Sequence, residues 1–152
     1  MIYNWLPFAE LSPKQVYDVL QIRENVFHIE HGARLRDIDD LDLQSNHLLG
    51  YEKDQLIAYL RVYLRNDCLY IDRLVVAPAF RLRGLGSMMV QKTLEKLKRS
   101  YPGISIGVQV WSGVLDFYRK FDFGLASNEP IGATGFEPIE MRYVARDAVT
   151  RN

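Results

Sequence analysis

Apolar positions change their period along the chain, and the changes divide it into elements. Val16, Val19, Leu20, Val26 and Phe27 recur at roughly helical spacing. Ser12 can cap that helix, Pro13 suits its first position and Gln15 completes a capping box. One or two helices are therefore expected over residues 13–30. Residues 32–46 show no such period and carry Asp37, Asp39, Asp40 and Asp42 beside two arginines, which describes a long structured loop. From His47 the pattern turns to strands: 47–51, then 56–64 after the turn Glu52-Lys53-Asp54-Gln55, then 68–76 after Asn66-Asp67. The connections are too short for parallel crossovers, so an antiparallel meander is expected.

Pro78 stops the third strand. Val90, Leu94, Leu97 and Tyr101 then recur at steps of four, three and four, which predicts an amphipathic helix over 85–100, ended by Pro102-Gly103. Residues 104–111 read as a strand, 113–121 as a short helix, and the stretches from Phe123 and over 137–144 as two last strands. The order is helix, three strands, helix, strand, helix, two strands. That is a mixed α/β (α+β) domain, with one domain expected over 1–152.

Composition narrows the function classes. Lysine plus arginine and aspartate plus glutamate both total 19, so the net charge is zero and the basic excess of a nucleic-acid binder is missing. Cys68 is the sole cysteine, which rules out an intrachain disulfide. The first residues lack the charged and apolar regions of a signal peptide, and no apolar run approaches the roughly 20 residues of a membrane span. A cytoplasmic protein without nucleic-acid or membrane partners is expected.

The chemistry concentrates after the third strand. Leu74-Val75-Val76-Ala77-Pro78-Ala79-Phe80-Arg81-Leu82-Arg83-Gly84-Leu85-Gly86 runs from a buried strand through a loop into a helix start. A helix N-terminus offers unpaired N–H groups and a positive dipole end to phosphate. Gly84 and Gly86 permit close approach of a ligand, and Arg81 and Arg83 add charge. The spacing is neither that of a dinucleotide fold nor that of a P-loop.

Arg81-Leu82-Arg83-Gly84-Leu85-Gly86 resembles the Arg/Gln-x-x-Gly-x-Gly/Ala signature of the GNAT acetyltransferase superfamily. The likeness extends over nearly the whole chain and is strongest to the ElaA-type branch. It rests on Arg23, Val26, Phe27 and Glu30 in the first helix, on Asp37, Asp39, Asp42 and His47, on Arg73, and on Phe117, Tyr118, Phe121 and Phe123. The resemblance implies a mostly antiparallel sheet flanked by helices and acetyl-CoA as acyl donor, with no metal. The backbone of Leu74, Val75 and Val76 would hold the pantetheine arm. Arg81 and the loop of Leu82, Arg83, Gly84, Leu85, Gly86 and Ser87 would hold the pyrophosphate.

The implied reaction is attack of a neutral amine on the thioester, so the amine must lose a proton and the departing thiolate must be stabilised. Tyr118 stands where these enzymes commonly keep a tyrosine that donates to the leaving sulfur; the alternative is a core aromatic. Glu30 and His47 are the candidate bases, with Asp72 a third, against plain roles as a helix end and a strand entry. Arg23 and Arg73 either bind an anionic substrate group or pair with the acidic loop, the pairing being the favoured role. The chain departs from related sequences at Trp111, where Asn or Gln is common, at Pro138, where His is usual, and at Ala33 and Leu35, which stand for Cys and Tyr.

The acceptor is expected to be a small-molecule amine, a protein N-terminus or a lysine, and a homodimer is a further expectation. Two rivals remain: a CoA-binding sensor or scaffold without turnover, and an acyltransferase like the acyl-homoserine-lactone synthases.

Overall fold

The capping box read from Ser12 and Gln15 forms: Gln15 N–H donates to Ser12 Oγ at 3.1 Å and Ser12 N–H to Gln15 Oε1 at 2.9 Å. It opens α1 (Pro13–Arg23), which continues without a break into π-helical turns over Glu24–Glu30. The computed structural model describes residues 1–127 and 138–145. The remaining elements are β1 (Ile2–Pro7), β2 (Asn46–Glu52), β3 (Gln55–Arg65), β4 (Cys68–Val76), α2 (Leu85–Ser100), β5 (Ser105–Val110), α3 (Leu115–Arg119), β6 (Phe123–Leu125) and β7 (Ile139–Tyr143).

The seven strands of the described residues join one sheet in the order β1-β2-β3-β4-β5-β7-β6. The expected meander is present as β2, β3 and β4, each antiparallel to the next. Among the described residues only β4 and β5 run parallel, because α2 carries the chain back across the sheet between them. β1 was not anticipated from the sequence. It pairs antiparallel with β2, from Ile2 opposite Tyr51 to Pro7 opposite Asn46. Pro7 is tolerated there because β1 is an edge strand.

The two faces of the sheet are covered by different helices. Strand side chains alternate in direction, so Leu48, Leu60, Ile71 and Val108 meet Met89, Val90, Leu94 and Leu97 of α2 on one side. On the other side Leu49, Tyr59 and Val75 pack against Val19, Ile22 and Val26. Phe117, Tyr118, Phe121 and Phe123 close the α2 side through edge-on ring contacts. Among the described residues no helix is long and apolar enough to cross a membrane.

Candidate active site

The sheet is split at its centre. β4 and β5 pair only through Cys68, Leu69 and Tyr70 against Ser105, Ile106 and Gly107. Beyond that point β4 runs on to Val76 against β3, and β5 runs on to Val110 against β7. The facing edges of the two strands thus diverge and leave a slot with unpaired backbone groups. A bulge in β4 marks the same stretch: Tyr59 opposes Val75 while Arg61 opposes Asp72, so Leu60 faces two residues, one of them Arg73 at φ 54°.

The loop after β4 delivers a helix N-terminus to the end of this slot. Leu82 and Gly84 take left-handed conformations, with φ 65° and 73°, and Gly84 caps α2. No side chain caps that end, so the first N–H groups of α2 are left for a ligand. A Cβ on Gly86 would stand 3.8 Å from Phe117 and 3.9 Å from Val76, so a small residue there keeps the approach to the strand end clear. Arg81 donates from Nε to Val76 O at 3.0 Å, and its two terminal nitrogens reach Glu30 at 2.5 and 2.9 Å. Arg83 is exposed, lies over the Phe80 ring and makes only a long 3.5 Å contact with Glu52. Arg81 therefore fixes the loop, whereas Arg83 is the cation free to meet phosphate.

Tyr118 is 5% exposed, and its hydroxyl makes no hydrogen bond to another described residue. Burial, reinforced by the Asp72 carboxylate, pushes its phenol above the ordinary range and keeps it protonated. The two candidate bases are placed differently. Glu30 is tied to Arg81, whose hydrogen bond lowers the carboxyl pKa and weakens it as a base. His47 is buried in β2 with both ring nitrogens engaged, Nδ1 by Tyr59 Oη at 2.6 Å and Nε2 by the Asp42 carbonyl at 2.9 Å. Nε2 must carry the proton to face a carbonyl, so Nδ1 accepts from the tyrosine. Burial depresses its pKa and holds the ring neutral. Neither nitrogen is open to an acceptor.

Arg23 and Arg73 pair with the acidic loop, and Arg61, which the sequence analysis did not single out, stands between them. Arg23 donates to Asp42 at 2.6 Å and to Asp37 at 3.0 Å. Arg61 reaches Asp72 at 2.6 Å, Asp39 at 2.7 Å and Asp42 at 2.9 Å. Arg73 reaches Asp37 at 3.0 Å and Asp39 at 3.3 Å. Arg23 and Arg61 are wholly buried, and removing one partner of such a pair costs about 3–5 kcal/mol. The network clamps residues 37–42 onto the sheet. A charged residue inside the apolar run of β3 was the signal for Arg61, since buried arginines require partners. Among the described residues no group of three or more His, Cys, Asp and Glu side chains is disposed to hold a metal ion.

The helix N-terminus after the strand end is what the Arg81 to Gly86 motif led us to expect, whereas the split between β4 and β5 emerges only from the structure. The model of the Acetyltransferase (GNAT) family matches residues 9–123, which spans α1 to the start of β6. The chain belongs to the GNAT acetyltransferase family. Its ElaA-type character is shown by protein ElaA of Escherichia coli, 34% identical over 123 residues, covering 78% of this chain and 80% of that protein. The crystal structure of E. coli ElaA superposes on this GNAT domain with a TM-score of 0.84 at 29% identity, over 94% of this chain and 99% of ElaA. An acyl-CoA N-acyltransferase from Pseudomonas aeruginosa gives 0.85 at 26% identity, with the same coverage of each chain. Concavities of about 300 and 190 Å³ lie beside α1; neither is lined by Tyr118 or by the GNAT loop at 81–87.

Proposed function

We propose that this protein moves an acyl group, acetyl in the first instance, from its CoA thioester to a primary amine. The split between β4 and β5, ending at the uncapped start of α2, carries the proposal. The β4 edge over Leu74, Val75 and Val76 would pair with the amide groups of the pantetheine arm, as a strand pairs with an extended peptide. The N–H groups of Leu85, Gly86 and Ser87, with Arg83, would hold the pyrophosphate. The name of the Pseudomonas relative supports an acyl-CoA donor.

The donor supplies an activated acyl carbon. Transfer forms one C–N bond and breaks one C–S bond; the amine loses a proton and the sulfur gains one. Tyr118 is suited to donate a hydrogen bond to the departing sulfur as charge develops, because its buried phenol stays neutral, and the thiolate takes its proton finally from solvent. The amine's proton leaves through solvent in this scheme, since Glu30 and His47 are committed elsewhere.

Thermal unfolding with added acetyl-CoA or free CoA tests the donor site. Saturation at a hundredfold excess over Kd is expected to add about 2.7 kcal/mol of stability. Gly84→Asp, which puts a side chain and a negative charge at a φ of 73°, is expected to abolish the rise. No rise at millimolar ligand would mean that the loop is only a turn. Turnover with a panel of amines then separates an enzyme from a CoA-binding sensor.

A further inference from the structure

Arg81 joins separate parts of the molecule at the mouth of the slot. The N–H of Ala77 is spent on Ile57 O of β3, at 2.8 Å. The two ends of a trans peptide point opposite ways, so the Val76 carbonyl of the same unit faces away from β3, towards the slot. Arg81 Nε donates to that carbonyl at 3.0 Å, and its two terminal nitrogens hold the two carboxylate oxygens of Glu30. Each terminal nitrogen keeps a further N–H for a ligand.

Glu30 is delivered by an unusual stretch of helix. The turns over Glu24–Glu30 are π-helical: His31 N–H reaches back five residues to Val26 O at 3.0 Å, where an α-helix reaches back four. Such turns are rare and collect at functional sites. Val26 stays buried against the sheet while Glu30, at the end of the stretch, meets Arg81.

Beyond Glu30, residues 31–36 are all exposed. The chain is caught again by Arg73, which donates to Arg36 O at 3.2 Å, to Asp37 O at 3.1 Å and to the Asp37 carboxylate at 3.0 Å. Arg73 and Arg81 stand at either end of Leu74, Val75 and Val76, the bank assigned to the pantetheine arm. Residues 31–36 therefore form a strap beside the slot, pinned at both ends by arginines of that bank. The Asp37 pin is reinforced by the buried Arg23. The Glu30–Arg81 pin is about one-third exposed on both sides and adjoins the loop assigned to the pyrophosphate.

We propose that Glu30 is a positioning residue that latches this strap to the cofactor loop through Arg81, so that a bound CoA diphosphate stiffens residues 31–36. The inference rests on the CoA-binding half of the reading above and gives Glu30 a task outside proton transfer. Held by Glu30 and by Val76 O, Arg81 keeps its remaining N–H groups at the mouth of the slot. A ligand that fixes Arg81 also fixes Glu30, and by linkage Glu30 strengthens that ligand's binding by the same factor.

Trypsin cleavage after Arg34, followed by the masses of the fragments, reads opening of the strap in the whole protein. Saturating free CoA is expected to slow this cut about threefold in the wild type, the scale of a partly exposed ion pair, and Glu30→Gln to raise the Kd for CoA by a similar factor. Glu30→Gln abolishes the protection by CoA, and Glu30→Asp, which keeps the charge, restores part of it. Without ligand, Glu30→Gln and Arg81→Gln are each cut faster than the wild type, and the double variant no faster than the singles, because all three break one interaction. Equal protection by CoA in the wild type and in Glu30→Gln, or single effects that simply add, would overturn the latch and leave CoA binding standing. Thermal shift of the wild type measures that binding separately. If it shows none, the cofactor reading falls and the coupling falls with it.

Discussion

Tyr118 is one ring among four aromatic residues in α3 and its flank, and its hydroxyl is what sets it apart from the three phenylalanines. Its raised pKa means that the neutral, proton-donating form persists above the ordinary phenol range of about 10. Ionisation of Tyr118 therefore contributes no fall in kcat below that pH. Tyr118→Phe is expected to leave the CoA-induced thermal shift intact and to lower kcat by about 100-fold or more, as loss of a donor aimed at developing charge does. An unchanged kcat in steady-state assays would assign the residue to packing alone. The sequence displayed Tyr118 within a recognisable aromatic motif, and the loop from Arg81 to Gly86 within another. It displayed Glu30 and His47 equally well, yet their partners lie far along the chain, at Arg81 and at Tyr59. What a titratable group does is fixed by those partners, and spacing along the chain does not encode them.

Among the elements, β4 has the decisive shape. Its bulge places Arg73 at φ 54°, a conformation that disfavours every residue with a Cβ, and the ion pairs to Asp37 and Asp39 hold it there. Arg73→Ala and Arg73→Gly lose the same ion pairs, but glycine accepts the torsion. In denaturant titrations the glycine variant is expected to be the more stable of the two by about 1 kcal/mol, the cost of a left-handed residue less the greater freedom of unfolded glycine. The reverse order would mean that the bulge relaxes once Arg73 is gone. Ends of β2, β3 and α2 were legible to within a residue or so, because turn residues and apolar period agree there. β1 was not: Ile2–Pro7 is short, and an edge strand buries little. The bulge was hidden for another reason, since register belongs to a pair of strands and neither strand states it alone.

For the whole molecule, the buried ion network makes stability depend on pH in two stages. Burial depresses the pKa of His47 below its ordinary 6.5, so the unfolded chain binds a proton there before the folded one does. That contribution is complete above pH 6.5 and is lost as pH falls below it. Asp39 is desolvated, which alone would raise its pKa, but Arg61 and Arg73 overcome this and hold it at about 2 against an ordinary 3.8. Its contribution persists above 3.8 and is lost between 3.8 and about 2. Urea midpoints measured between pH 8 and pH 2 are expected to decline gently below 6.5 and steeply below 4, and His47→Asn to remove the first stage. A flat profile down to pH 4 would mean that His47 is solvated. The order of strands was the least legible feature at this scale: β7 enters between β5 and β6, a placement that follows from packing across the sheet. The split in that sheet creates an internal edge, and exposed edges invite aggregation by strand addition. Ordinary edges are protected by charge or proline. This one is closed at the Tyr70 end by the remaining pairs with β5 and lies between two strands already committed on their outer sides. A foreign strand cannot run through it, so the fold can keep bare peptide groups at its centre without offering them to another protein.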